Sequence, residues 1–204
     1  VDNKKETAFS KAKEIINRHK GIIRTKDAIK AGIHPRTLYK LRDEGELEVV
    51  SRGIYRSSGM KPVSEPDIIT VALRIPNAVI CLISALSYHN ITTQIPHMVF
   101  IALGKGAETP RIDYPPISVH RLSGESFTAG IEVYNIDGVS VKVYSPEKTI
   151  VDCFKFRNKI GMDIAIEALK LYKTNYKFNI NKVLKYAKIC RVGNIMKPYL
   201  EATI

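Results

Sequence analysis

Apolar positions recur at helical spacing close to the start of the chain. Ala8, Phe9, Ala12, Ile15 and Ile16 form one stripe over residues 7–19, backed by Lys11, Lys13, Glu14 and Arg18, which predicts an amphipathic helix. Gly21 follows as its stop. Thr25 is placed as the N-cap of a short second helix over 26–31, which Gly32 closes. After Ile33 in the turn, a third helix is predicted over 35–44. His34 is its cap, Pro35 its first-turn proline, and Gly45 its stop. Leu38 and Leu41, three residues apart, face inward, and Arg36, Thr37 and Lys40 are left on the outer face, flanked by Tyr39 and Arg42.

Beyond Gly45 the period changes. Leu47, Val49 and Val50, then Ile54 and Tyr55, bracket Ser51-Arg52-Gly53 and read as a β-hairpin, with Gly53 supplying the positive φ of the turn. Two short helices joined by a glycine-containing turn, the second opening on outward Arg and Thr, have helix-turn-helix form, and the hairpin behind them has the place of a wing. The motif spans residues 7–58.

The polar stretch Ser57-Ser58-Gly59-Met60-Lys61-Pro62 is read as a hinge. It divides the chain into a DNA-binding domain over 1–60 and a second domain over 61–204. In the second, Ser64 is expected to cap a helix over 65–74, an apolar run covers 78–83, and a helix covers 84–90. Strands are predicted over 95–103, 117–122, 131–136 and 139–144, the last two joined by Asp137-Gly138. Pro110 to Pro116 punctuate an irregular loop. Ser145 then caps a helix that opens on Pro146 and packs Ile150, Val151, Cys153 and Phe154 inward, and further helices follow over 162–174, 179–190 and 194–202. The fold class is therefore α+β: a winged helix-turn-helix followed by a mixed α/β domain of about four strands with a helical C-terminus.

Charge sharpens this picture. The chain carries 32 Lys+Arg against 20 Asp+Glu, net +12, with a pI near 9.6, which points to a polyanionic partner. Residues 1–61 hold 15 basic against 8 acidic side chains, more than half the excess, where the helix-turn-helix lies. Arg52 and Arg56 place cations on the hairpin, as a wing touching phosphates requires; the alternative is a structural hairpin with solvated arginines. Lys170, Lys173 and Lys177, and Lys182, Lys185 and Lys188, recur at helical spacing opposite apolar residues. These are either solvated polar faces or, with Arg157 and Lys159, a second phosphate-contacting surface.

Resemblance adds a family. The stretch GIIRTKDAIKAGIHPRTLYKLRDEGELEVVSRGIYRSSG resembles the N-terminal winged domain of the AbiEi family, the bacterial antitoxin and repressor components of type IV abortive-infection toxin–antitoxin systems. LISALSYHNITTQIPHMVFIAL, YSPEKTIVDCFKFRNKIGMDIAIEAL and MKPYL are similar to the C-terminal part of those regulators. The resemblance implies an autorepressor of its own operon that binds double-stranded operator DNA, with inverted repeats. It also implies a C-terminal domain that counteracts a nucleotidyltransferase-like toxin without forming a stable complex with it. The residues expected at DNA are Arg24, Thr25, His34, Arg36, Thr37, Tyr39, Lys40, Arg42, Arg52, Tyr55 and Arg56.

Other chemistries find little support. Cys81, Cys153 and Cys190 are widely spaced among apolar neighbours, with no CxxC or His/Cys pairing, and read as reduced, packed thiols. No metal, cofactor or catalytic residue is expected. Glu147, Lys148 and Asp152 do not reproduce the Asp…(Asp/Glu)-x-Lys spacing of restriction-type nucleases, and Gly104-Lys105-Gly106 is only a fragment of a phosphate loop. Asp152 is expected on the helix surface or in packing. A nuclease-like C-terminal domain, or one that binds a ligand or partner protein with no toxin involved, stays open as the alternative. The longest apolar runs are six residues, far short of a membrane span, and the charged opening lacks the apolar core of a signal peptide. A cytoplasmic protein without membrane contact is expected.

Overall fold

The computed structural model describes residues 2–202. Two compact units divide them: everything up to Arg74 together with Asn135–Ser140, and Ile75–Tyr134 with Val141 onward.

The first unit opens with α1 (Asp2–Arg18). Its chain reverses through Lys20 and Gly21, both at positive φ, where the Gly21 amide donates to the Ile16 carbonyl, a closure favoured by glycine. Strand β1 (Ile22–Arg24), α2 (Thr25–Lys30), α3 (Pro35–Asp43) and the hairpin β2 (Leu47–Ser51) and β3 (Ile54–Ser57) follow. The sheet has the order β1-β3-β2, all antiparallel, with Ile23 opposite Tyr55 and Tyr55 opposite Val49. Ala12, Ile16, Ile23, Ala28, Ile33, Leu38, Leu41, Leu47 and Tyr55 close one core beneath these elements. α4 (Pro66–Arg74) packs on β2.

Two expected caps are corrected. The N-cap of α2 is Arg24, with no side-chain hydrogen bond. Thr25 is already helical, and its hydroxyl and amide both donate to the Gly53 carbonyl in the hairpin turn. A tertiary acceptor has taken the hydroxyl that local pattern assigned to the helix. The Ser64 hydroxyl and amide likewise go to the Asp137 carboxylate and not to α4. Strand β1 is an addition, since three residues offer no readable alternation.

In the second unit β4 (Val79–Ile80) leads to α5 (Leu82–Tyr88), β5 (Val99–Gly104), β6 (Ile117–Leu122) and α6 (Glu125–Thr128). Strands β7 (Ile131–Ile136) and β8 (Val139–Tyr144) follow; their connecting stretch Asn135–Ser140 is counted with the first unit and turns through Asp137 and Gly138, both at positive φ, as a two-residue hairpin requires. The sheet has five strands in the order β6-β5-β4-β8-β7, mixed in direction: β4 is parallel to β8 and antiparallel to β5, and β5 is parallel to β6. The two-residue β4 within the apolar run 78–83 is the strand beyond the four expected. β5 begins at Val99, later than predicted, because the residues before it leave the sheet and Ile95 is 81% exposed.

Helices α7 (Pro146–Lys155), α8 (Arg157–Ile160), α9 (Met162–Asn175), α10 (Ile180–Cys190) and α11 (Gly193–Glu201) complete the chain. The Ser145 side chain caps α7, accepting from the Lys148 amide. α7 is buried from Pro146 to Phe154 and packs against α5, α9, α10 and α11, so this helix is the centre of the second core. Among the described residues no helix is long and apolar enough to cross a membrane.

Candidate nucleic-acid interface

α3 owes its placement to its own sequence. His34 Nδ1 accepts the Arg36 amide at 3.2 Å, Pro35 fills the first turn, and Leu38 and Leu41 are wholly buried against α1 and α2. An apolar stripe held this firmly fixes which side chains point away. Arg36, Tyr39, Lys40 and Arg42 are exposed, as is His34, and Thr37 is half-buried beside them. Lys40 Nζ lies 3.6 Å from Glu44 and 5.4 Å from the Phe9 ring centroid. The Arg42 guanidinium donates to Asp43 and lies 5.4 Å from the Tyr39 ring centroid. These are surface contacts, weak enough to exchange for a phosphate or a base edge. Among the described residues the Arg36 guanidinium has no ion-pair partner. Helix α3 therefore presents a polar, net basic face whose first turn is its most available part, as a recognition helix does.

The hairpin places its cations differently. Arg52 is exposed at the turn. Arg56 is held inward by Glu48 and by the carbonyls of Met60 and Lys61. Arg24 donates to Asp27 and to the Leu73 carbonyl, and the guanidinium's hydrogen bond holds the Asp27 carboxyl below its ordinary range. Tyr55, expected at DNA, is 5% exposed and part of the core. Within this unit Arg36, Thr37, Tyr39 and Lys40 share α3, and Arg52 belongs to the wing.

The expected second basic surface belongs to the other unit. Lys170 and Lys173 are exposed on α9, and Lys182, Lys185 and Lys188 on α10, whereas Lys177 lies past the end of α9 in the connecting loop. Lys182 stands 3.6 Å from Glu147, Arg157 donates to the Phe154 carbonyl, and Lys159 Nζ lies 5.9 Å from the Phe156 ring centroid. Asp152 is 1% exposed and paired with Lys148, so of the two places expected for it, helix surface or packing, it takes the second. A polar cavity of about 440 Å³, lined by Ser123, Ser126, Lys155, Cys190 and Arg191 among others, opens beside α6. Among the described residues no three His, Cys, Asp or Glu side chains come together as a metal site. The three thiols are buried and free; burial pushes them above their ordinary value. The sequence reading missed Thr70 and Arg74, which reach the hairpin from α4; nothing local in their residue types marks them.

No curated protein sequence is significantly similar to the chain. Among solved structures, that of the RV2827C protein from Mycobacterium tuberculosis aligns with a TM-score of 0.59 over 89% of this chain and 71% of that one, at 15% identity. It shares the fold. Residues 10–58 match the family described as "Transcriptional regulator, AbiEi antitoxin". This match takes in α1 from Ser10 onward, β1, α2, α3 and the hairpin of β2 and β3, and residues 10–58 thus form an AbiEi-like winged helix-turn-helix segment.

Proposed function

We propose that the chain is a DNA-binding transcriptional regulator, an autorepressing antitoxin of a type IV toxin–antitoxin system acting in the cytoplasm. The observation that carries this reading is α3: a helix anchored by Leu38 and Leu41 that offers Arg36, Thr37, Tyr39 and Lys40 outward, within a segment matching antitoxin regulators. Arg36 and Lys40 read base edges in the major groove of operator DNA, and Arg52 on the wing contacts phosphate. Two copies on an inverted repeat follow from one recognition helix per half-site. The C-terminal part counteracts a nucleotidyltransferase-like toxin without a stable complex. Its lysines on α9 and α10 extend the DNA footprint.

Gel-shift titration of the chain against the promoter fragment of its own operon is the test. Arg36→Ala and Lys40→Ala should each cost roughly 1–3 kcal/mol of specific affinity if each meets a base edge. Unchanged binding for both would reject α3 as the reading element.

A further inference from the structure

We infer that α4 is a strut that sets the position of the wing turn, with Arg74 and Thr70 as positioning residues for Arg52; this rests on the DNA-binding reading above. A two-stranded hairpin alone is marginally stable in water. A phosphate contact made from a mobile turn gives up much of its energy in ordering that turn. Here the turn is held from outside the hairpin. The Arg74 guanidinium donates to the carbonyl of Arg52 itself, a charge-assisted bond stronger than a neutral one. The Thr70 hydroxyl donates to Ser51 Oγ at 3.2 Å, and Thr25 takes the Gly53 carbonyl with both amide and hydroxyl.

The strut is anchored in its turn. Ile69 and Val71 are wholly buried and Thr70 is 2% exposed. The Leu73 carbonyl, in the last turn of α4, accepts from Arg24, whose guanidinium is also paired with Asp27 at the start of α2. The chain from recognition motif to wing therefore runs Asp27, Arg24, Leu73, Arg74, Arg52. Fixing the Arg52 carbonyl fixes the peptide plane beside its Cα and hence the direction in which its exposed side chain leaves the turn. Thr70 is too deep to touch DNA, and Arg74 acts through the carbonyl it holds.

The experiment is a double-mutant cycle on the full chain, read as binding to a mixed-sequence DNA duplex over a range of salt. Arg52→Ala is expected to weaken binding and to flatten the slope of log K against log salt by about one. Arg74→Ala should weaken binding several-fold in the native background and hardly at all in the Arg52→Ala background, because a residue acting through another has nothing left to position. Arg74→Lys, which still carries a donor, should recover part of the loss, and Thr70→Val should reproduce it in weaker form with little change of volume. Additive losses for Arg52→Ala and Arg74→Ala would overturn the inference, as would full affinity in Arg74→Ala when Arg52→Ala is impaired. If the native chain binds no duplex, the DNA-binding reading falls. The strut is then judged by hydrogen exchange of the wing, which should quicken in Arg74→Ala and Thr70→Val; unchanged exchange overturns it.

Discussion

Replacing Lys148 by Met tests whether the second core is held together at its centre by charge. Lys148 and Asp152 lie one turn apart on α7 with side chains 0% and 1% exposed, and Nζ donates to Oδ2 at 2.5 Å. The Cys190 thiol donates to the other carboxylate oxygen at 3.6 Å, and the ammonium lies 4.2 Å from the centroid of the Tyr144 ring. Burial pushes the Asp152 carboxyl above its ordinary value, with Lys148 opposing. Removing one partner of such a pair leaves a buried charge without compensation and costs about 3–5 kcal/mol. At about 2–4 °C per kcal/mol for a chain of this size, Lys148→Met should lower the melting midpoint by about 6–20 °C. Met keeps most of the aliphatic volume, so the loss reports charge more than packing. The double variant Lys148→Met/Asp152→Leu removes both charges, and its stability should return to the native level or exceed it by about 1–4 kcal/mol.

The sign of the pH dependence gives a second check. Without the ammonium, burial acts unopposed and the folded carboxyl rises further. A carboxyl raised in the folded state carries no penalty below the unfolded value, and its penalty grows as pH climbs towards the folded one. The deficit of Lys148→Met should therefore shrink as the pH is lowered from about 8 towards the ordinary carboxylate range. Urea and thermal unfolding followed by tyrosine fluorescence, in a chain with ten Tyr and no Trp, measure both. A single variant within about 1 kcal/mol of native, or a double variant as unstable as the single, would refute the reasoning.

Three further outcomes follow from the same structure. His89, bonded to the Tyr144 carbonyl, and His120, stacked on Phe100 with its Nδ1 buried and unpaired among the described residues, are both held below their ordinary value by burial. A depressed histidine contributes stability above its unfolded value and loses it as pH falls through the folded one, so the urea midpoint should drop below pH about 6.5 and His120→Phe should flatten the drop; an unaltered slope refutes it. Gly130→Ala should cost more than about 2 kcal/mol, from a positive φ and a Cβ only 2.7 Å from that of Lys148, whereas Gly106→Ala, at positive φ in open space, should cost about 1; equal urea midpoints would argue against the close contact. Because all three thiols are buried, a thiol reagent should label the native chain slowly and the urea-unfolded chain at once, and rapid native labelling of Cys81 or Cys153 would contradict the second core.

What local spacing determined by itself was the run of helices and hairpins. The stripe that buries Leu38 and Leu41, the His34 and Ser145 caps, and the Arg52-Gly53 and Asp137-Gly138 turns are each set by side chains within a few residues of where they act. That is enough to fix which face of α3 is polar, and so most of the candidate interface. Tertiary structure decided whatever depended on a distant partner. β1 and β4 are too short to show a period and exist because β3, β5 and β8 offer them hydrogen bonds. Tyr55 turned from surface to core because β3 is central in its sheet, and Thr25 and Ser64 gave up their expected caps for acceptors on the Gly53 turn and at Asp137. Arg74 reached the wing only because α4 packs on β2. Lys148 is the extreme case, since a lysine goes into an apolar core only where a carboxylate is buried to meet it, and its complete burial was settled when the rest of the chain closed over α7.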